Sequence, residues 1–147
     1  MKAPATLDQP QIAQRIPHAG AMCLLDRVER WSERDIHCCA SSHRAADNPL
    51  RSAGELPVSA GIEYAAQAMA VHGSLLEPAT ASPRRGYLAV LSRVEWSVER
   101  LDNIDGELQI EAVRDTVIGG GSSYQFSVHG GGRLLLSGSA VIAFDPL

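Results

Sequence analysis

Glu63 and Gln67 are polar residues four positions apart within a long apolar stretch of the chain. Residues at this spacing share one face of an α-helix. A carboxyl group half-buried beside apolar side chains binds its proton more tightly, which suits a general acid or base acting on a substrate hydroxyl or α-proton. The alternative is a solvent-exposed glutamate in the first helical turn, stabilised by the helix dipole. The residues alone leave both interpretations open.

Such a carboxylate would act with a second group, and histidine is the usual partner. His43 is best placed, because it lies in the segment SSHRAADNPL just before the apolar stretch. A lone histidine is more often structural, so a catalytic and a structural role both remain open for His43. The other histidines are less well placed, since His37 is predicted inside a strand and His129 at a strand end; the remaining two are His18 and His72.

One buried helix is predicted to carry Glu63 and Gln67. Residues 59–76 include few polar positions, and a helix that is apolar almost all round is buried. Pro57 and Ser59 suit its beginning, and Pro78 ends it. A short helix is predicted at 8–15, and a long, functional loop at 43–54, which contains Asn48-Pro49 and Gly54.

The rest of the chain is predicted to form antiparallel strands. Two strands precede the buried helix, one running from the apolar run at 22–25 into the charged segment at 26–30 and one at 35–42. Four strands follow the helix as a meander at 87–98, 107–118, 123–129 and 133–144. The separators 102–106, 119–121 and 130–132 are rich in glycine, asparagine and aspartate and indicate hairpins. An antiparallel sheet has one face to bury, which one apolar helix could cover. We therefore predict a single α+β domain over residues 1–147.

Composition excludes several classes of protein. The chain has 13 basic and 17 acidic side chains, a net charge of -4 and no Lys/Arg-rich run, which argues against nucleic acid as a partner. No apolar run approaches the roughly 18 residues that a membrane-spanning helix needs, and no apolar signal core is present at the N-terminus. We expect a cytoplasmic protein with no membrane partner.

The cysteines indicate a reduced compartment and no metal. Cys23, Cys38 and Cys39 are odd in number and two are adjacent, so a disulfide framework is not expected. His37-Cys38-Cys39 has no CxxC or HxxxH partner, and neighbouring strand residues point to opposite faces. We predict buried strand cysteines.

Two motifs resemble a known family. The stretch IPHAGAMCLLDRV at 16–28 closely resembles the PHRxPFLLVDRV signature of the β-hydroxyacyl-acyl carrier protein dehydratases. GIEYAAQAM at 61–69 resembles their central-helix signature, so that Glu63 matches its glutamate and Gln67 its glutamine. The longer segment DNPLRSAGELPVSAGIEYAAQAMAVHG is similar to a divergent branch of predicted 3-hydroxyacyl-acyl carrier protein dehydratases, some from aryl-polyene pathways. The resemblance implies a hot-dog fold, a curved antiparallel sheet wrapped around one long helix, dimerised so that active sites form at the subunit interface.

The sequence departs from that family at its histidine. The dehydratases carry a catalytic histidine in a GHFP motif, and the counterpart here is Asp47-Asn48-Pro49-Leu50. Asn48 can hydrogen-bond a thioester carbonyl but cannot abstract a proton. Either His43 has taken the role of the base, or the dehydration chemistry is altered.

The resemblance implies roles for five residues. His43 would take the C2 proton of a 3-hydroxyacyl thioester, and protonated Glu63 would donate to the departing C3 hydroxyl. Asn48, Gly61 and Gln67 are the expected substrate-binding residues, with backbone N–H groups around Gly61 polarising the thioester carbonyl. No cofactor, metal or nucleotide is expected.

We predict a dehydratase in fatty-acid-like or polyene biosynthesis, and two alternatives stay open. Thioester hydrolysis is one, because hot-dog folds host it and the same carboxylate could activate water. A non-catalytic or acyl-binding subunit of an active dehydratase is the other, which the missing GHFP histidine favours. The expected substrate partner is an acyl carrier protein or a CoA thioester. The expected protein partner is a second subunit, in a homodimer, a larger assembly of dimers, or a heterodimer with a related dehydratase.

A basic rim could dock an acidic carrier protein. The candidate residues are Arg44, Arg51, Arg84 and Arg85, and the alternative is that they are solvated surface charges.

Overall fold

The first described element is a short capped helix at the start of the chain. The computed structural model of the protein describes residues 6–16, 20–77 and 86–144. Helix α1 (Gln9–Ala13) begins after Asp8, whose carboxylate accepts from the Gln11 backbone N–H while the Gln11 side chain accepts from the Asp8 N–H. This reciprocal capping box satisfies two backbone donors that the helix leaves unpaired. The helix predicted at 8–15 is confirmed and is shorter at both ends.

One antiparallel sheet contains all the strands of the described residues. Its order is β1-β2-β3-β5-β6-β7-β4. In β6, buried and less buried residues alternate along the strand, as expected when one face of a sheet is covered. The strands are β1 (Leu7–Asp8), β2 (Arg27–Trp31), β3 (Asp35–Ala40), β4 (Gly86–Trp96), β5 (Leu108–Ile118), β6 (Gly121–Gly130) and β7 (Arg133–Phe144).

Helix α2 (Ala60–Leu75) covers the buried face of the sheet and packs against β3, β5, β6 and β7. Small residues let it approach closely. A Cβ at Gly61 would lie 2.7 Å from Leu136 Cδ2, and one at Gly73 would overlap the Phe144 ring. Interiors packed this densely have no room for the extra atom. The predicted buried helix is therefore confirmed, and it places Glu63 one turn from its N-terminus.

The predicted four-strand meander is wrong in one respect. Strands β5, β6 and β7 form consecutive hairpins, but β4 pairs with β7 instead of β5. The chain between Trp96 and Leu108 crosses the helix N-terminus, where Leu101 N–H donates to Leu56 O, so it is a long connection and not a hairpin turn. Strand β5 pairs with β3 on its other side. The separator at 102–106 was therefore misassigned, and strand β1 was not predicted.

The glycine triplets close the other two hairpins as predicted. Gly119, Gly131 and Gly132 have φ values of +48°, +59° and +78°, which favour glycine because it has no Cβ. The prediction of buried cysteines is also confirmed, since the three thiols are free and buried. No helix in the described ranges is both long and apolar enough to cross a bilayer. One domain over 1–147 stays a prediction.

Candidate active site

Helix α2 presents Glu63 at a half-buried position near its start. The carboxylate accepts a long hydrogen bond, 3.4 Å, from Gln67 Nε2 one turn later. This contact is the one that their spacing predicts for a shared helical face. Glu63 is therefore neither deep in the core nor free in solvent, and its neighbour on that face is an amide donor.

Gln67 connects the two motifs of the family resemblance. Its side chain is 1% exposed, its Nε2 donates to Met22 O at 2.7 Å, and its Oε1 accepts from Leu24 N at 3.0 Å. An amide that satisfies both a backbone acceptor and a backbone donor fixes the position of that backbone segment. The segment 22–24 is thereby held against the face of α2 that carries Glu63.

A second polar cluster surrounds Tyr64, whose side chain is fully buried. The Tyr64 hydroxyl lies 2.7 Å from Ser42 Oγ and accepts from Asn48 Nδ2 at 3.0 Å. Ser42 Oγ donates to Leu24 O at 2.7 Å, so it must accept from the tyrosine. Burial raises the pKa of Tyr64, which keeps the hydroxyl protonated as this donor. The cluster ties the loop after β3 to α2.

The amide of Asn48 is occupied by this cluster. Besides Tyr64, its Nδ2 donates to Ser42 O at 2.9 Å, and its Oδ1 accepts from Leu50 N at 2.8 Å. The side chain is 6% exposed. Asn48, the counterpart of the GHFP histidine, therefore uses its side chain to hold the backbone of the loop in which it lies.

His43 is completely buried in a 3₁₀ turn (Ser42–Arg44) and points towards a different loop. Its Nε2 lies 3.0 Å from Ile104 O, which can only accept, so Nε2 carries the proton. Nδ1 has no hydrogen-bond partner among the described residues. Burial lowers the pKa of His43, and the bond to Ile104 offsets part of that effect. The ring is a neutral imidazole with its lone pair on Nδ1.

The N–H of Gly61 is also occupied. It donates to Val58 O at 2.9 Å, in a first helical turn whose donors all reach back three residues. An N–H group bonded in this way does not point at an external oxyanion. The oxyanion role predicted for Gly61 would require this turn to open.

The predicted site residues fall into two groups by their hydrogen-bond partners. In the first group, Gln67 bonds both Glu63 and the segment 22–24, and Asn48 bonds Tyr64 of α2. The second group is His43 alone, which bonds the connection between β4 and β5 at Ile104 O. Tyr64 and Ser42 are not among the residues predicted for the site. A tyrosine within an apolar helix was a usable signal, because a buried tyrosine hydroxyl needs a partner.

The arginines proposed as a basic rim are only partly described. Arg44 is exposed, and Arg51 donates to the backbone at Ala45 O and Gly54 O, which makes it a loop brace. Arg84 and Arg85 lie outside the described residues, as do Pro17 and His18 of the N-terminal motif.

Comparison with known families decides the identity of the chain. The sequence model of the ApeP-like family, described as ApeP dehydratase, matches residues 10–146. The chain belongs to this family. Among curated proteins, no sequence matches it significantly. The dehydratase resemblance of the two motifs is therefore confirmed at the level of the family.

Solved structures confirm the fold. The dehydratase heterocomplex ApeI:P from Xenorhabdus doucetiae contains a chain that is 21% identical, with a TM-score of 0.81 over 92% of this chain and 91% of that one. Two thioesterases are more distant: one from Haemophilus influenzae (11% identity, TM-score 0.58, 82% and 78% covered) and a mutant of one from Pseudomonas aeruginosa (15%, 0.55, 82% and 81%). The α+β, hot-dog fold that the resemblance implied is confirmed.

Proposed function

We propose that this ApeP-like chain eliminates water from 3-hydroxyacyl thioesters carried by an acyl carrier protein, giving trans-2-enoyl thioesters, as one subunit of a heterodimer with a related dehydratase. Fatty-acid-like or polyene biosynthesis is the proposed setting. The observation that carries the proposal is the half-buried Glu63 beside Gln67, on the segment that resembles the central-helix signature of the dehydratases and lies within the residues that the family model matches. A carboxyl group in such a position can be a general acid.

In the proposed reaction, a base removes the C2 proton, which the thioester carbonyl makes acidic. The electron pair forms the C2–C3 double bond, and the C3 hydroxyl leaves as water after protonation by Glu63. His43 is the proposed base, acting through Nδ1, because Nε2 is protonated and bonded to Ile104. A neutral imidazole with one nitrogen anchored on a carbonyl is ready to accept a proton on the other.

Asn48, Gly61 and Gln67 support the substrate pocket in this proposal mainly through the backbone they hold. Their polar groups already bond other parts of the chain, so contact with a substrate would cost an internal hydrogen bond. A buried polar group left without a partner costs about 1–3 kcal/mol. Substrate binding through these polar groups therefore requires a compensating bond from the thioester.

The proposed partner subunit binds at strand β4. This strand pairs with β7 along one edge, and in the described residues its other edge pairs with no strand. Such an edge invites pairing with another chain. Leu91 and Trp96 pair with buried residues of β7, so they share the face that α2 covers elsewhere, yet they are 39% and 59% exposed. A second hot-dog subunit would cover these side chains; the heterocomplex ApeI:P supports a related dehydratase in this role.

A non-catalytic role in that heterodimer is the second candidate. His43 is 0% exposed, and a base must reach its substrate. If His43 stays buried in the assembled enzyme, the partner would supply the base and this chain would supply Glu63 or the acyl-binding wall.

The test is to incubate the chain with 3-hydroxyhexanoyl-acyl carrier protein, alone and mixed with an ApeI-type dehydratase subunit. Enoyl product and free thiol are read by intact mass, and the CoA thioester of the same acid is a second substrate arm. We expect enoyl product from the mixture with no free thiol. Glu63→Gln should reduce that rate at least about 100-fold, the usual contribution of a positioned general acid.

Glu111→Gln is the matched control, since Glu111 lies in β5 between the buried Ile110 and Ala112, so its side chain is on the face of the sheet opposite α2. There it contacts His37. It should leave the rate unchanged. Release of free thiol would replace the proposal with thioester hydrolysis. Full activity of the mixture with Glu63→Gln would leave this chain a structural subunit, and full activity of the chain alone would remove the need for a partner.

A further inference from the structure

The connection between β4 and β5 carries the carbonyl that His43 bonds. Residues 101–104 form a turn that is closed by Ile104 N–H donating to Leu101 O at 3.0 Å. His43 Nε2 donates to Ile104 O, on the other side of the same residue. The position of this turn therefore decides which nitrogen of His43 is protonated.

Asp102 anchors the turn to the chain that leads into α2. Its Oδ1 accepts from Leu56 N at 2.8 Å, and Leu56 O accepts from Leu101 N at 2.8 Å, so Leu56 is bonded twice to the turn. Arg100 holds the same carboxylate from the other side, through Nε to Oδ1 at 3.1 Å and Nη2 to Oδ2 at 2.5 Å. This two-pronged hydrogen-bonded pair fixes the orientation of the carboxylate. The pKa of Asp102 lies well below its usual range because of these donors.

Gly130 leaves the space into which the turn packs. A Cβ at Gly130 would lie 2.8 Å from Ile104 Cγ2 and 3.1 Å from the side chains of Leu108 and Leu135. Any side chain here would push against Ile104. Asp102 thus holds the turn by hydrogen bonds on one side, and on the other side the turn packs closely against Gly130 because glycine has no side chain.

We propose that Asp102 is a positioning residue for His43: it holds the turn so that the Ile104 carbonyl stays on Nε2 and the lone pair stays on Nδ1. Nothing in the family motifs includes Asp102, which lies within the long connection between β4 and β5, at the start of the segment 102–106 that was predicted to be a hairpin turn. The proposal deepens the proposed function by naming what sets the tautomer of its base, and its test does not depend on that function.

The tautomer has a chemical consequence. A neutral imidazole has one donor and one acceptor nitrogen, so it can take a proton only at the nitrogen that its hydrogen bonds leave free. Without the carbonyl, the ring would exchange between tautomers, and only part of the population would present Nδ1. The charged groups that act on His43 are Arg44 and Asp26, in opposite directions, and neither is altered by the changes tested below.

The experiment is nitrogen NMR of the full chain labelled with ¹⁵N-histidine. In the wild type, His43 should show a protonated Nε2 and an unprotonated Nδ1. Asp102→Ala removes the acceptor for Leu56 N and the partner of Arg100, and should move both ring signals of His43 towards values averaged between tautomers. Asp102→Asn keeps an oxygen for Leu56 and should have a smaller effect. Gly130→Ala displaces Ile104 directly and should reproduce the change.

The other histidines are internal controls. His72 and His37 should keep their signals in these variants, which also reports an intact fold. Glu111→Gln should do the reverse, changing His37 and leaving His43. In the mixed enzyme, Asp102→Ala should lower kcat with KM little changed, because part of the His43 population would then carry its proton on Nδ1 and could not accept another there.

Unchanged His43 signals in both Asp102→Ala and Gly130→Ala would overturn the positioning role. If the signals move while wild-type enzyme forms no enoyl product, the positioning role holds and the proposed function fails. If enoyl product forms and the His43 signals do not move, the proposed function holds and the positioning role of Asp102 fails.

Discussion

Two buried histidines of this chain have opposite hydrogen-bond environments. His43 and His72 are both 0% exposed, and burial lowers the pKa of both. His72 Nε2 donates to Ser32 O and its Nδ1 accepts from Tyr124 O–H, each at 2.7 Å, whereas His43 has one bonded nitrogen and one without a partner in the described residues. Buried polar atoms are normally paired, so the unpaired Nδ1 is the feature that supports the proposed role of His43 as the base. Burial alone does not distinguish a structural histidine from a functional one.

The largest expected effect separates the two rings by activity. His43→Gln keeps an N–H that can reach Ile104 O but has no basic nitrogen, and we expect enoyl formation by the mixed enzyme to fall about 100-fold or more. His72→Gln should leave the rate per folded molecule unchanged. Urea unfolding of both variants checks the folded fraction. Unchanged turnover with His43→Gln would assign the base to the partner subunit.

A second change would make His72 resemble His43. Tyr124→Phe removes the hydroxyl that bonds Nδ1 of His72 and leaves that nitrogen buried without a partner. We expect the free energy of unfolding to fall by about 1–3 kcal/mol, measured by urea denaturation. Tyr64→Phe is the matched control: Ser42 and Asn48 keep other partners there, so the loss should be smaller. Equal losses would contradict this account of His72.

The dependence of stability on pH tests both rings together. Each has a folded-state pKa below the ordinary value of 6.5, so the unfolded chain binds more protons as the pH falls. Stability should therefore be full well above pH 6.5 and decline as the pH falls below that value. For each histidine, the decline approaches about 1.4 kcal/mol per pH unit until the pH reaches the folded-state pKa. Urea midpoints from about pH 7.5 to about pH 5 measure this decline. His72→Gln should flatten it in part, and an unchanged slope would show that His72 does not contribute.

The smallest expected effect concerns a histidine at the surface. His37 Nε2 lies 2.6 Å from Glu111 Oε2, with side chains 18% and 38% exposed. A surface contact between a histidine and a carboxylate, which is an ion pair only when the ring is protonated, contributes about 0–1 kcal/mol, so Glu111→Gln should change the free energy of unfolding in urea by no more than that. A larger loss of unfolding free energy would show that the contact of His37 contributes to stability as much as those of the buried histidines.

Much of the fold could be predicted from local pattern. The apolar stretch around Tyr64 had few polar positions, which identified α2, and the glycine triplets identified two hairpins with their positive φ values. The pairing of β4 with β7 could not be predicted in this way. Strand pairing is a long-range choice, and the turn residues at 102–106 resemble a hairpin although they instead anchor a connection across the helix.

For the candidate site, the sequence by itself determined that Glu63 and Gln67 share a helical face, because they are four residues apart in a predicted helix. It also determined that the chain belongs to the ApeP-like family. Only the tertiary structure decided which partners occupy their polar atoms. Gln67 and Asn48, expected to bind substrate, use their amides on the backbone, and the nitrogen left free on His43 depends on a carbonyl 61 residues away in the chain. Helical spacing is a local property that the sequence carries directly. Hydrogen bonds between distant segments exist only once the sheet and helix have brought those segments together.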